Sequence, residues 1–348
     1  MNRAATIALA PFSALYSAAV QARSQGYQKQ FLKTYRVSVP VISVGNITVG
    51  GTGKTPLVKW LAECLAGNGR KLCILSRGYR RDNAKSRVVV SDGEQILSDV
   101  THAGDEAMML AHSLLGKAAV VCDADRVAGA AWAVQHLNRD VLLLDDGFQH
   151  RRLERDLDIV TIDATNPFGN GRLLPAGILR EPVSSLNRAD CIVLTRVSDQ
   201  VRPELIERLR RTSGAPVLTS RTTIKNIRLL NEKGLVEEAT VRSQPLAAFC
   251  AIGNSTAFFD QLREAHFDIR HEKAFRDHHK YSQTDIDRLI ETATSSGAHA
   301  LITTEKDAVK LRAFRFDLPS YVAQVEVEIS DATKLLELIE RASETNTN

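Results

Sequence analysis

The chain has little of what marks a secreted, zinc-binding or nucleic-acid-binding protein. Its five cysteines (Cys64, Cys73, Cys122, Cys191, Cys250) are scattered, odd in number and mostly set in apolar runs, and no C-x-x-C occurs. That pattern excludes a disulfide framework and argues for reduced thiols in a cytosolic compartment. His278 and His279 are adjacent, but no second His or Cys cluster exists to complete a zinc site, and a solvated loop is the plainer reading. Lys and Arg number 45 against 41 Asp and Glu, a formal charge of +4. This is too small an excess to argue for nucleic acid, though it is compatible with an anionic substrate or a membrane surface. Internal repeats and low-complexity tracts are absent, and the uncharged stretch at 4–20, broken by Pro11, falls short of the ~20 residues a bilayer span needs.

That alanine-rich stretch still has a pattern. Phe12, Leu15, Tyr16, Ala19 and Val20 share one helical face, and Arg23, Lys29, Lys33 and Arg36 follow. A signal peptide would need a cleavage site and an oxidising context. A helix lying on an anionic leaflet fits better, the alternative being a helix packed on the protein's own core.

What is present in strength is an α/β alternation with a phosphate loop near its start. With 348 residues, 44% hydrophobic and 25% charged, the chain has room for two soluble domains. Val41, Ile42 and Val44 predict a strand; glycines follow at 45, 50, 51 and 53, then Lys54-Thr55-Pro56 and the apolar-periodic Leu57, Val58, Leu61 and Leu65. Strand, glycine loop and helix make a cradle in which backbone N–H groups wrap a phosphate chain at a helix N-terminus. Lys54 would reach the β- and γ-phosphates and the Thr55 hydroxyl a magnesium ion. The strict P-loop pattern asks for Gly where Thr48 stands, so the match lacks one residue.

Downstream, near-continuously apolar strands alternate with helices, which predicts a mainly parallel sheet covered on both faces. Residues 221–245 break the rhythm and read as a two-stranded ribbon, with strands at 224–230 and 235–241 around Asn231–Gly234. A second, smaller alternation follows. The expected fold is therefore two α/β/α sandwich domains: an N-terminal helix at 1–30, a P-loop nucleotide-binding core at 31–220, a ribbon linker at 221–245 and a second domain at 246–348.

Three constellations carry chemistry. Val141 to Leu144 run into Asp145-Asp146, a strand end whose carboxylates can serve Mg²⁺ and a nucleophile. Asp105-Glu106 follow Gly104 at a helix start, either as dipole partners or as a general base taking a hydroxyl proton. Arg126, Arg180 and Glu181 lie at strand ends or in loops. A switch or metallochaperone GTPase is disfavoured, because Asp145-Asp146-Gly147 is one residue short of D-x-x-G and Thr304-Glu305-Lys306-Asp307 sets Lys beside Asp.

Together, the run 45–56, Ser76-Arg77-Gly78-Tyr79, Gly104-Asp105-Glu106, Asp145-Asp146-Gly147-Phe148-Gln149-His150, Arg180-Glu181-Pro182, Asp277-His278 and Thr304-Glu305-Lys306-Asp307 closely resemble the tetraacyldisaccharide 4′-kinase family, the lipid A 4′-kinases of Gram-negative bacteria. The resemblance runs to about residue 310; Thr48 is the family's own variant, and Ala107 stands where many members carry proline. It implies transfer of the γ-phosphate of ATP to the 4′-hydroxyl of an acylated glucosamine disaccharide 1-phosphate, forming lipid IVA at the cytoplasmic face of the inner membrane, with no obligate protein partner. By matching motif, Thr48, Gly50, Gly51, Thr52, Gly53, Lys54 and Thr55 would hold ATP with Arg126, Arg180, Asp146 and Gln149. Thr55, Asp145 and Glu181 would serve Mg²⁺, and Asp105 would be the base, paired with His278. Since those two lie in different predicted domains, the sequence leads to the expectation that the pair forms only on closure about the ribbon.

Overall fold

The structure is a computed structural model and describes residues 8–197, 202–232 and 234–344. Helix α1 (Ala10–Gln28) precedes β1 (Val41–Gly45), and α2 (Lys54–Gly67) leaves the glycine loop. Then come β2 (Leu72–Ser76), β3 (Val88–Ser91), α3 (Val100–Ala103), α4 (Asp105–Ser113), β4 (Ala118–Cys122), α5 (Arg126–Leu137), β5 (Val141–Asp145), β6 (Leu157–Asp163) and β7 (Cys191–Thr195). The second half holds α6 (Pro203–Ser213), β8 (Val217–Leu229), β9 (Leu235–Val236), α7 (Glu238–Arg242), β10 (Leu246–Cys250), α8 (Ser255–Glu264) and β11 (Ile269–Ala274). It closes with α9 (Gln283–Ser295), β12 (Ala300–Thr304), α10 (Glu305–Leu311), β13 (Ser320–Ile329) and α11 (Ala332–Glu344).

The apolar strands form one sheet in the order β11-β10-β12-β13-β8-β7-β6-β1-β5-β2-β4-β3, with β9 beside β8. β1 lies between β5 and β6, parallel to both, and all five of its residues are buried. Strands hidden on both faces need no polar alternation, which is why they read as unbroken apolar runs. The carboxyl ends of β1, β2, β5 and β6 therefore share one edge, where ligands of open α/β sheets bind.

The joint between the halves differs in detail from the expected ribbon. β8 does pair antiparallel with a second strand, but mainly with β13, from Tyr321↔Leu229 to Ile329↔Ser220. Of the predicted strand 235–241 only Leu235 and Val236 pair with β8. Residues Glu238–Arg242 form a helical turn instead, closed by an i,i+4 pair in which Arg242 lies 2.6 Å from Glu238. A further correction concerns the C-terminus. α11, assigned to the second domain, buries Leu335, Ile339 and Ala342 in the core that holds Ile42, Leu57 and Leu61 of the first. Helix α9 opens on a capping box, Ser282 accepting from the Asp285 N–H while Asp285 accepts from the Ser282 N–H.

Helix α1 turns its hydroxyls inward. Ser13 donates to the Leu173 carbonyl, Tyr16 to the Arg180 carbonyl and Arg23 to the Gln149 carbonyl. Phe12 and Leu15 remain 63% and 72% exposed, and Phe31, just beyond the helix, 81%. No α1 residue is buried, so packing on a core of its own is not what orders this helix. Among the described residues no helix is long and apolar enough to cross a membrane.

Candidate active site

The glycine loop is built as its composition requires. Gly50 and Gly53 take φ of +105° and +76°, a region that costs other residues a clash. Gly53 is the N-cap of α2, and Lys54 and Thr55 open the helix. Thr52 Oγ1 accepts from Asn46 Nδ2 at 3.0 Å and lies 2.8 Å from Thr161 Oγ1, while the Thr195 hydroxyl donates to the Thr52 carbonyl at 2.9 Å. These bonds anchor the loop to β6 and β7. Among the described residues, the N–H groups from Gly50 to Thr55 donate to no protein acceptor, leaving a run of amides free for an anion. Thr48 has another task. It bridges Leu179, with Val49 N–H donating to the Ile178 carbonyl and Arg180 N–H to the Ile47 carbonyl. It is buried in a seam between the loop and 178–180, a place that needs extended backbone rather than a glycine.

At the end of β5, two neighbouring carboxylates meet opposite fates. Asp145 is 3% exposed and, among the described residues, makes no side-chain hydrogen bond. Burial, then the charges of Glu106 and Asp146, push it up to about 7 against the pull of Lys54 and Arg126. Asp146 bends away at φ +56°. It meets Lys54 Nζ at 3.4 Å and Arg180 at 2.8 Å, and these cations hold it below the usual range although burial works the other way. Arg126, the first residue of α5, is buried and donates to the Asp123 carbonyl, with Nε unpartnered. Burial lowers its basicity, against the charges of Asp145 and Asp146. Gln149 Nε2 donates to the Asn46 carbonyl at 2.9 Å and thereby ties this segment to the glycine loop. Burial brings His150 down to about 4, so it is neutral at physiological pH. Gly45 permits the arrangement, since a Cβ there would fall 2.5 Å from the Phe148 Cβ.

A divalent cation suits this donor set. A buried carboxylate without a hydrogen-bond donor at the end of β5, and a hydroxyl at Thr55 at the head of α2, are chemistry that a hard cation satisfies. Glu181, the third implied magnesium ligand, is held elsewhere: Arg188 grips its carboxylate at 2.5 Å and lies over the Phe148 ring. Among the described residues no three His, Cys, Asp or Glu side chains converge on one point, so a cation here relies on the hydroxyl and on phosphate oxygens as well.

Across the edge from this loop stands Asp105, the first residue of α4. It is buried, and His278 Nδ1 lies 2.8 Å and 3.0 Å from its two oxygens. Burial pushes its carboxyl up, but the His278 bond and the charges of Lys306 and Lys310 outweigh it and hold the group below the ordinary carboxylate range. His278 belongs to the second half and sits at φ +61°, with the Tyr79 ring 5.4 Å away. The two residues are therefore already in contact, and no closure about 221–245 is needed to bring them together. Gly104 makes room, because a Cβ there would meet the Tyr79 carbonyl at 2.8 Å.

Sequence reasoning missed two groups. Lys306 and Lys310 on α10 reach Glu106 at 3.0 Å and Asp105 at 3.7 Å respectively. The 304–307 motif fits the family pattern without indicating what Lys306 touches, and Lys310 lies outside it. The available signal was their i,i+4 spacing behind a Thr304 cap, which places both on one helical face.

Comparison with known proteins identifies the family. The tetraacyldisaccharide-1-P 4'-kinase family matches residues 5–344. The tetraacyldisaccharide 4'-kinase of Pelobacter propionicus is 37% identical over 333 residues, covering 95% of this chain and 91% of that protein. That of Geobacter metallireducens is 37% identical over 342 residues, covering 98% and 99%. A crystal structure of LpxK from Aquifex aeolicus in complex with ATP superposes with a TM-score of 0.79 at 32% identity, covering 97% of this chain and 99% of that one. The chain belongs to the tetraacyldisaccharide-1-P 4'-kinase family.

Proposed function

We propose that this protein transfers the γ-phosphate of ATP to the 4′-hydroxyl of a tetraacylated glucosamine disaccharide 1-phosphate, yielding lipid IVA and ADP. The observation that carries the reading is the buried Asp105–His278 contact at 2.8 Å, on the same sheet edge as a glycine loop with free amides. The loop amides and Lys54 bind the β- and γ-phosphates, while Arg126 and Arg180 add charge where negative charge spreads over the transferring group. Asp105 accepts the hydroxyl proton as the sugar oxygen attacks the γ-phosphorus and the bond from that phosphorus to the β–γ bridging oxygen breaks. His278 orients the carboxylate. Magnesium, held through Thr55 and Asp145, would neutralise phosphate charge during transfer.

An acylated acceptor leaves a bilayer only at high cost, about 0.8 kcal/mol per CH₂. The outward Phe12, Leu15 and Phe31 suit docking at the cytoplasmic face of the inner membrane, with the basic residues after α1 toward anionic headgroups. Incubation with [γ-³²P]ATP and a tetraacyldisaccharide 1-phosphate in detergent micelles tests the reading. Label on the lipid is expected; ATP hydrolysis without labelled lipid would contradict it.

A further inference from the structure

Helix α10 begins where Thr304 accepts a hydrogen bond from the Asp307 N–H at 3.1 Å, and it sends two half-buried lysines toward α4. Lys306 Nζ lies 3.0 Å from Glu106, 3.4 Å from Asp277 and 3.4 Å from His278 Nε2. Lys310 Nζ lies 2.9 Å from Asp307 and 3.7 Å from Asp105, with the Tyr281 ring beside it. Burial works against the Lys306 charge, but Glu106, Asp105 and Asp277 outweigh it and hold the amine protonated. An ammonium has donors and no lone pair. The imidazole nitrogen facing it must then be the acceptor, which leaves Nδ1 to carry the hydrogen that Asp105 receives.

We propose that Lys306 is a positioning residue for the Asp105–His278 pair, fixing the Nδ1–H tautomer of His278 and keeping the pair free of an extra proton until the acceptor hydroxyl arrives. The inference rests on the reading of Asp105 as the proton acceptor. Facing the pair are Glu106 from α4, Asp277 from the loop before His278, and Lys306 and Lys310 from α10. Asp307 stands behind Lys310, and Arg80 donates to the Asp277 carbonyl. Deleting the Lys306 charge leaves Glu106 and Asp277 without their cation and removes a positive charge that favours the Asp105 carboxylate, so Asp105 takes up a proton more easily. Turnover is then lost at a higher pH as the pH falls.

The test is kcat against pH for wild type, Lys306→Met and Lys306→Arg. Lys306→Met should move the acid limb up by about one pH unit or more, the scale set by one neighbouring charge. Lys306→Arg should return most of that shift, and the KM for ATP should change little in either variant. An unmoved limb with kcat reduced equally at every pH would overturn the proposal and make the lysine a plain structural tie. If Asp105→Asn retained turnover, the base reading itself would fall, which separates the two failures. Should Lys306→Met not fold, ¹⁵N-histidine NMR of the wild-type protein decides. A neutral His278 protonated at Nδ1 is expected near pH 7, and an imidazolium or an Nε2–H tautomer would overturn the proposal.

Discussion

Three aspartates at one sheet edge show how little residue type says about charge. Asp145, buried without a donor, is pushed up to about 7, while Asp146 and Asp105 are held down by cations and a histidine. A depressed carboxylate contributes stability above the unfolded value, near pH 4, and loses it as pH falls through the lower folded value. Thermal midpoints should therefore drop below about pH 4, and Asp105→Asn should flatten that drop; an unchanged slope would contradict the assigned shift. Gly45→Ala should impair ATP binding without touching any phosphate contact. Its new Cβ, 2.5 Å from that of Phe148, must displace the segment carrying Asp145, Asp146 and Gln149. Calorimetric titration with ATP reads this, and undiminished affinity would contradict it. The sequence revealed the glycine loop and both acidic motifs because their backbone demands are local. The contact that Glu181 makes, with Arg188 above the Phe148 ring, is by contrast set by folding and leaves no local signal.

Among the elements, β1 and β5 lie close to where their apolar runs place them, since burial on both faces is a short-range signal. Of the strand expected at 235–241 only Leu235 and Val236 pair with β8, on the edge opposite β13, because the chain turns helical at Glu238–Arg242. Helix α1 packs through the Ser13 and Tyr16 hydroxyls while Phe12 and Leu15 face outward, the orientation that a helix lying on a leaflet requires. That orientation makes a prediction. Each large apolar side chain buried in lipid contributes about 1.5–3 kcal/mol, so Phe12→Glu with Leu15→Glu should weaken sedimentation with anionic vesicles at least tenfold. The KM for ATP should stay unchanged. Vesicle binding equal to wild type would remove α1 as the membrane contact.

At the scale of the molecule, the two predicted domains are one sheet. β8 and β13 pair across the joint, α11 returns to the first core, and the half-buried Lys59–Glu305 pair at 3.1 Å ties the glycine-loop helix to α10. None of this was legible, because strand order and a returning helix depend on contacts more than a hundred residues apart. Heating should accordingly give a single calorimetric transition, and Leu335→Ala should lower it through a loss of roughly 2–5 kcal/mol from the first core. Two resolved transitions, with only one moved by Leu335→Ala, would contradict a shared core. The central claim is that an acid group fixed by His278 removes the acceptor's proton while a separate loop holds the nucleotide. Its most direct measurement is Asp105→Ala, comparing ATP affinity by calorimetry with single-turnover phosphoryl transfer to the lipid acceptor. Unchanged affinity with transfer reduced by about 10²–10⁴-fold is predicted; transfer at the wild-type rate would contradict the account.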